Sequence, residues 1–437
     1  MLNKIKIAIH LPNRDIPDVL LYEPERGNPG IGGTQFLLFS LPYYLTKYYK
    51  DRFEFVFFAD FDKPVDRTFP VFKVNSMEDA ALRAKEMLCE IFIFRPTSDN
   101  ETVALLKTIE LIKLKSISWS FNTPRIFLKY FYKNDYIIRF VCVGRDQYET
   151  LRDHPIIKKC SIIYNAVDAS SIPFNIETLK TKSVVFLGSL SFAKGFHLVA
   201  KIWKNVLKVH PDAELHVIGS GKLYNRNQKF GPLGLADEKY ERCLSKYLRT
   251  DSGVIHNSVK FFGVMGAEKY EIMGKASVGI GTHPDLRETF CLAAVEFELC
   301  GTPVISSAYG GLMDTVDNGV TGFLRNSSQK RLGKILDLLS DADLAKKMGA
   351  AGRKFASEKF NYEKICKEWY DLIIDSCSER TVEILGIIPS ERIKLDQFRE
   401  RLRILKSKYL IFRFLPASIF FIHSIEFIKL RIQRLSL

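Results

Sequence analysis

The sequence predicts an α/β chain of two doubly wound domains followed by a basic helical appendage. Three observations lead there. At 437 residues, 46% of them hydrophobic and 26% charged, the chain is long enough to bury two substantial cores and has an ordinary globular composition. Apolar strand-like runs alternate with helical stretches over the first 170 residues, the pattern of a parallel sheet covered on both faces. From residue 183 a second series of strand, glycine turn and helix begins.

The first series opens with residues 4–11 (KIKIAIHL), read as a buried strand. A long loop ends in Asn28-Pro29-Gly30-Ile31-Gly32-Gly33-Thr34-Gln35, just before an apolar helix. A strand, a glycine-rich turn and a helix let backbone amides approach an anion or a sugar closely. Residues 53–59 (FEFVFFA) form the next strand, and Asp60-Phe61-Asp62 after it is read as a solvated turn rather than a metal clamp. Residues 90–95 and 115–119 are further strands, the latter running into Ser120-Phe121-Asn122. FVCVG (140–144) and IIYNAVD (162–168) complete a first domain assigned to 1–175.

The second domain, 182–360, opens with SVVFLGSLSFAKGFHLV (183–199): a strand ends at Gly188, and Lys194-Gly195 start the next helix. AELHVIGSG (213–221) and VKFFGVM (259–265) are strands, and the polar stretch 222–258 between them is read as a surface excursion. A short helix from Glu268 and a strand at 277–284 lead to the densest stretch, His283 to Leu324. Glu288 and Glu296 lie eight apart, a spacing that puts both on nearly one side of a single helix. Gly301 ends that helix, Pro303 starts a short strand, and Gly310-Gly311 turn the chain. Residues 329–375 are helical, with 361–377 set apart as one helix and 378–437 as a basic amphipathic tail.

Composition excludes several classes. Eight scattered cysteines without a C-x-x-C pair argue for reduced thiols, against a disulfide framework or a zinc site. The start MLNKIKIAIHLP is read without a cleavable leader, and no 18-residue uncharged apolar run predicts a membrane span. The net charge is +14, and half of it lies in residues 398–437, where nine Lys/Arg face only Glu400 and Glu426. These basic residues are interleaved with Phe, Ile and Leu, so an anionic membrane surface fits better than nucleic acid. A tail folded onto the first domain is the competing expectation.

The stretch His283–Leu324 resembles the donor-site segment of retaining glycosyltransferases of the GT-B fold, family 4. The likeness rests on Glu288-x7-Glu296, the turn Cys300-Gly301-Thr302-Pro303-Val304, Gly310-Gly311, Asp317-Asn318-Gly319 and Thr321-Gly322-Phe323-Leu324, with Lys194-Gly195 and residues 162–168 in support. It implies two Rossmann-like doubly wound domains facing a cleft, a C-terminal helical tail, and a helix at 361–377 crossing back to the first domain. It also implies that Lys194 grips the donor diphosphate and that Glu288, catalytic with it, binds the donor sugar. Glu296 would hold the ribose hydroxyls. Gly188, Ser189, Arg287, Phe290, Cys291 and Leu292 would complete the donor site, with Gly32, Gly33 and Asn122 facing it from the first domain.

There are departures from the family pattern. Ser189 stands where the family has an arginine, which makes Arg287 a candidate for the missing charge; Phe121 stands for a histidine, Thr289 and Cys291 for glycines, and Asp314 for a glutamate. The implied function is transfer of a sugar from a nucleotide-diphosphate donor to a glycan or lipid-linked acceptor. No cofactor and no metal are expected, and the expected location is the cytoplasm, peripheral on the inner membrane face. The alternatives are an inactive membrane-associated binding subunit, or a sugar synthase or epimerase acting on soluble substrates.

Overall fold

The structure, a computed structural model, describes residues 4–63, 65, 68–122, 127–178, 180–281, 288–378, 384–386, 394–421, 424 and 428. Among these, the first half of the chain forms a parallel sheet from β1 (Ile5–Leu11), β2 (Phe53–Ala59), β3 (Val71–Lys73), β4 (Ile91–Phe94), β5 (Ser116–Ser120), β6 (Ile137–Cys142) and β7 (Cys160–Ile162). The order is β3-β2-β1-β4-β5-β6-β7, reversing direction between β1 and β4. The helices that cover it are α1 (Gly33–Tyr48), α2 (Met77–Glu86), α3 (Asn100–Ile112), α4 (Leu128–Lys133) and α5 (Arg145–Leu151).

These strands read as apolar runs because both faces are buried. In β1, Ile7, Ile9 and Leu11 enter one core with Phe55, Phe57, Ile91 and Ile93, while Ala8 enters the other with Val56, Phe58, Phe92 and Phe94. Two aromatic residues of α1 are explained the same way: Phe39 and Tyr44 are buried in the first of these cores.

The second half repeats the plan with β8 (Thr181–Leu187), β9 (Glu214–Ile218), β10 (Val259–Gly263), β11 (Ala276–Ile280), β12 (Val304–Ser306) and β13 (Gly322–Leu324). Its order, β10-β9-β8-β11-β12-β13, reverses between β8 and β11. Around it lie α6 (Phe196–Val209), α7 (Glu238–Leu248), α8 (Lys269–Lys275), α9 (Leu292–Leu299), α10 (Leu312–Thr315), α11 (Ser328–Ser340) and α12 (Ala342–Lys359). The fold is GT-B: two Rossmann-like sheets whose carboxyl ends face one cleft.

Helix α13 (Tyr362–Cys377) leaves the second domain and packs on the first. Tyr362 stacks on Tyr44 at 3.7 Å, Tyr370 on Tyr49 at 4.4 Å, and Trp369 meets Trp119 edge-on at 4.8 Å. An edge-on pair such as Trp369–Trp119 adds about 0.5–1.5 kcal/mol beyond area burial.

The tail also returns to the first domain. Along α14 (Lys394–Lys408), Arg399, Arg403 and Lys406 meet Asp146, Glu149 and Asp153 at 3.2, 3.3 and 3.3 Å. Ser418 donates both its N–H and its Oγ to Asp153, and Ala417 and Ile419 enter the first-domain core. The competing expectation, a tail folded onto the first domain, is thus met over these described residues. No helix among the described residues is long and apolar enough to cross a membrane.

Candidate functional site

Ligands of open α/β sheets bind beyond the carboxyl ends of the strands, where strand order reverses. Both reversals here open onto one cavity of about 590 Å³, within the range that encloses a small-molecule ligand. Arg14 follows β1, Asp60 follows β2, Arg95 follows β4, and Gly188, Gly219 and Gly281 follow β8, β9 and β11; all of them line it.

The structure brings most of the sequence candidates together. Gly32, Gly33, Asn122, Gly188, Lys194, Glu288, Phe290, Cys291, Leu292 and Glu296 all line the cleft. Ser189 is buried and does not line it, and Arg287 lies outside the described residues. The single-helix reading of the two glutamates is corrected. Helix α9 begins only at Leu292, so Glu296 is helical while Glu288 sits in the preceding loop. Both reach the cleft because the loop is clamped, not because of helical spacing. Gly311 N–H donates to the Glu288 carbonyl at 2.7 Å, and a Cβ on Gly310 or Gly311 would fall 2.3 Å from the Glu288 carbonyl or 2.2 Å from that of Thr289.

Cys291 caps the helix with φ 76°, a left-handed conformation that costs a non-glycine residue about 1 kcal/mol or more. The resemblance places a glycine around this point, and the backbone has kept the glycine conformation. Burial pushes the Cys291 thiol up to about 12, so it is a packed thiol rather than a nucleophile.

Lys194 Nζ donates to Glu288 Oε2 at 2.6 Å. Burial by itself disfavours the ammonium, but the carboxylate more than offsets this and holds the Lys194 pKa well above its ordinary value. Glu296 is held by Lys269 Nζ at 2.8 Å and the Tyr270 hydroxyl at 3.1 Å. Desolvation, then the charge of Glu296, raises the Tyr270 pKa well above the usual phenol range and keeps it a donor.

Several contributors escaped the sequence reading. Lys269 and Tyr270 were visible only as the start of a helix. The start of the stretch 222–258, read as a surface excursion, instead forms part of the cleft wall. Tyr224 lines it, Arg226 N–H donates to the Asp15 carbonyl, and Arg226 Nη2 donates to the Gly30 carbonyl at 2.9 Å. Buried Glu241 fixes this segment by accepting the N–H groups of Leu233, Leu235 and Ala236 at 2.7–3.0 Å. A run of Asn, Lys and Ser signals a loop but not where the loop lies.

His10, at the end of β1, is buried with neither ring nitrogen hydrogen-bonded, and burial followed by the charges of Arg95 and Arg14 pushes its pKa down to about 3. Across the domain boundary, buried Asp314 accepts Arg145 N–H at 2.8 Å and the Tyr164 hydroxyl at 3.2 Å, and Thr289 Oγ1 donates to the Phe121 carbonyl.

Comparison with known proteins agrees with this architecture. The family described as glycosyl transferases group 1 matches residues 170–355. An uncharacterized glycosyltransferase of Methanocaldococcus jannaschii is 27% identical over 246 residues, 55% of this chain and 60% of that protein. A D-inositol 3-phosphate glycosyltransferase of Corynebacterium jeikeium is 30% identical over 197 residues, 44% and 42% of the two chains. The chain spans about half the length of the curated relatives it matches. Among solved structures, the Anabaena protein HepE, in complex with UDP and glucose, superposes with TM-score 0.60 at 17% identity, covering 85% of this chain and 100% of its own. Sucrose-phosphate synthase of Thermosynechococcus elongatus gives TM-score 0.64 at 15% identity, covering 86% and 100%. These two likenesses are of fold.

Proposed function

We propose that the chain, whose residues 170–355 match the glycosyl transferases group 1 family, is a retaining glycosyltransferase. It moves a sugar from a nucleoside-diphosphate donor to a glycan or lipid-linked acceptor in surface polysaccharide or glycolipid synthesis, without a metal. The observation that carries this reading is the juxtaposition of Lys194, Glu288 and Glu296 in one cleft with the amino end of α9.

Each part has a chemical task. Departure of a nucleoside diphosphate develops negative charge, which a lysine and the free amides of a helix start can stabilise. Lys194 exchanges its bond to Glu288 for one to the phosphate, freeing the carboxylate to accept hydroxyls of the donor sugar. Glu296, held by Lys269 and Tyr270, accepts the two vicinal ribose hydroxyls. The acceptor hydroxyl attacks the anomeric carbon on the face the phosphate leaves. The new carbon–oxygen bond forms as the old one breaks, and the hydroxyl proton passes to the departing phosphate oxygen.

The test is nucleotide release from a panel of UDP-, GDP-, ADP- and dTDP-sugars with EDTA present, with and without a crude lipid extract. Release from one donor, lost in Glu288→Ala and Lys194→Ala, supports the assignment. Failure of every donor to react or to raise Tm would favour a binding subunit instead.

The docked tail supports a peripheral position on the cytoplasmic face of a membrane. Leu410 and Ile411 are each 75% exposed, Tyr409 stands beside them, and Arg401 and Lys408 are exposed nearby. Apolar side chains with flanking cations suit an anionic leaflet. Co-sedimentation with anionic vesicles should drop in Leu410→Glu/Ile411→Glu, and equal binding by wild type and this variant would sink the idea.

A further inference from the structure

Eight charged side chains line the cleft: Arg14, Arg95, Lys194 and Lys269 against Asp15, Asp60, Glu288 and Glu296. Among the described residues, three of the four cations are paired. Arg14 meets Asp60 at 2.9 Å, Lys194 meets Glu288 at 2.6 Å, and Lys269 meets Glu296 at 2.8 Å. Arg95 differs from these. Its Nε is buried without a hydrogen-bond partner, and Asp99, Glu101 and Asp15 act on its charge only from a distance.

A guanidinium withdrawn from water is costly unless an anion or several acceptors meet it. The location says which substrate would bring that anion. Arg95 follows β4 and Arg14 follows β1, so both stand at the strand-order reversal of the first sheet. Both line the same cavity, beyond the ends of two strands that pair with each other. The groups assigned to the sugar nucleotide, Lys194, Glu288 and Glu296, belong to the other domain.

We propose that Arg95, with Arg14 beside it, forms a subsite on the first domain for an anionic group, a phosphate or a carboxylate, carried by the acceptor. The planar guanidinium offers two parallel N–H donors to such a group, a geometry that lysine lacks. This inference rests on the reading of the cleft as a sugar-nucleotide site.

The experiment uses the full chain saturated with whichever of UDP, GDP, ADP or dTDP raises its Tm most. That complex is titrated by calorimetry with inorganic phosphate, glucose 6-phosphate, glucuronate and methyl glucoside. At least one anionic probe should bind about tenfold or more tighter than methyl glucoside, and comparison of glucuronate with the phosphates identifies the group. Arg95→Gln should abolish that preference and Arg95→Lys should keep part of it, with nucleotide Kd unchanged in both. No anion preference in wild type, or its persistence in Arg95→Gln, overturns the proposal. A tenfold weaker nucleotide Kd in Arg95→Gln also overturns it, because Arg95 would then serve the donor diphosphate. If wild type binds no nucleotide, the donor assignment fails and this inference with it.

Discussion

Lys194 and Glu288 hold each other 2.6 Å apart across 94 residues of sequence, one side chain a quarter exposed and the other less. A pair in contact acts as a unit, so its members should not contribute independently. In a double-mutant cycle on donor turnover, Lys194→Ala and Glu288→Ala should each cost about 10²-fold or more, and the double variant far less than their product. Additive losses would separate the two residues functionally.

Gly144 sets how closely the domains approach. A Cβ there would lie 2.4 Å from the Thr289 carbonyl and 3.3 Å from Asp314 Oδ2. Gly144→Ala should therefore push the Glu288 loop away from the first domain. A displacement near 1 Å is enough to lower turnover by about 10²-fold. Small-angle scattering should record a larger radius of gyration, with Tm little changed. Unaltered scattering together with unaltered turnover would show that the interface yields elsewhere.

Lys180 should titrate below the other lysines. It is largely withdrawn from solvent, donates to the Gly274 and Gly301 carbonyls at 2.7 Å and to Thr302 Oγ1 at 3.1 Å, and burial pushes its pKa down to about 8. An unfolded lysine keeps its proton to about pH 10.4, so between pH 8 and that value the unfolded chain binds more protons and this residue's contribution to stability rises with pH. Below pH 8 the folded chain carries the buried charge and the contribution is flat. In a carbon-13 lysine titration, one resonance should move near pH 8 and be missing from Lys180→Met. Uniform titration of all lysines near 10.5 would contradict it.

Glu241 anchors the segment that walls the cleft. Glu241→Ala leaves three amides without their acceptor, each bond to a charged group being worth about 1.5–3 kcal/mol. Hydrogen exchange across 222–236 should accelerate at least about tenfold, and nucleotide affinity should fall because Tyr224 loses its support. Glu241→Gln, which retains acceptor oxygen, should fall between. Unchanged exchange in the alanine variant would mean the segment is fixed by other contacts.

The strands were legible because burial on both faces leaves them as apolar runs, and FEFVFFA became β2 without adjustment. The donor-side residues were legible because Lys194, Glu288 and Glu296 sit within local motifs. Spacing alone misplaced Glu288: eight residues fit two helical turns equally well as a loop that ends at a left-handed Cys291. Arg95 carries no local motif at all, being the residue after a strand, and its meaning comes from β4 adjoining β1. The tail ladder was equally hidden. Arg399, Arg403 and Lys406 find Asp146, Glu149 and Asp153 some 250 positions away, which no pattern in one sequence reveals.

The way the domains are joined bears on how such chains diverge. On the first-domain side, the bonds to Arg226, Thr289 and Asp314 come from the carbonyls of Asp15, Gly30 and Phe121, the N–H of Arg145 and the hydroxyl of Tyr164. All but the Tyr164 hydroxyl are main-chain groups, which a change of side chain leaves in place. Mutation can therefore rewrite side chains over much of the first domain while the contacts to the second half persist. The comparisons have the form such drift would produce: the family model matches residues 170–355, whereas likeness of fold extends over 85% of the chain.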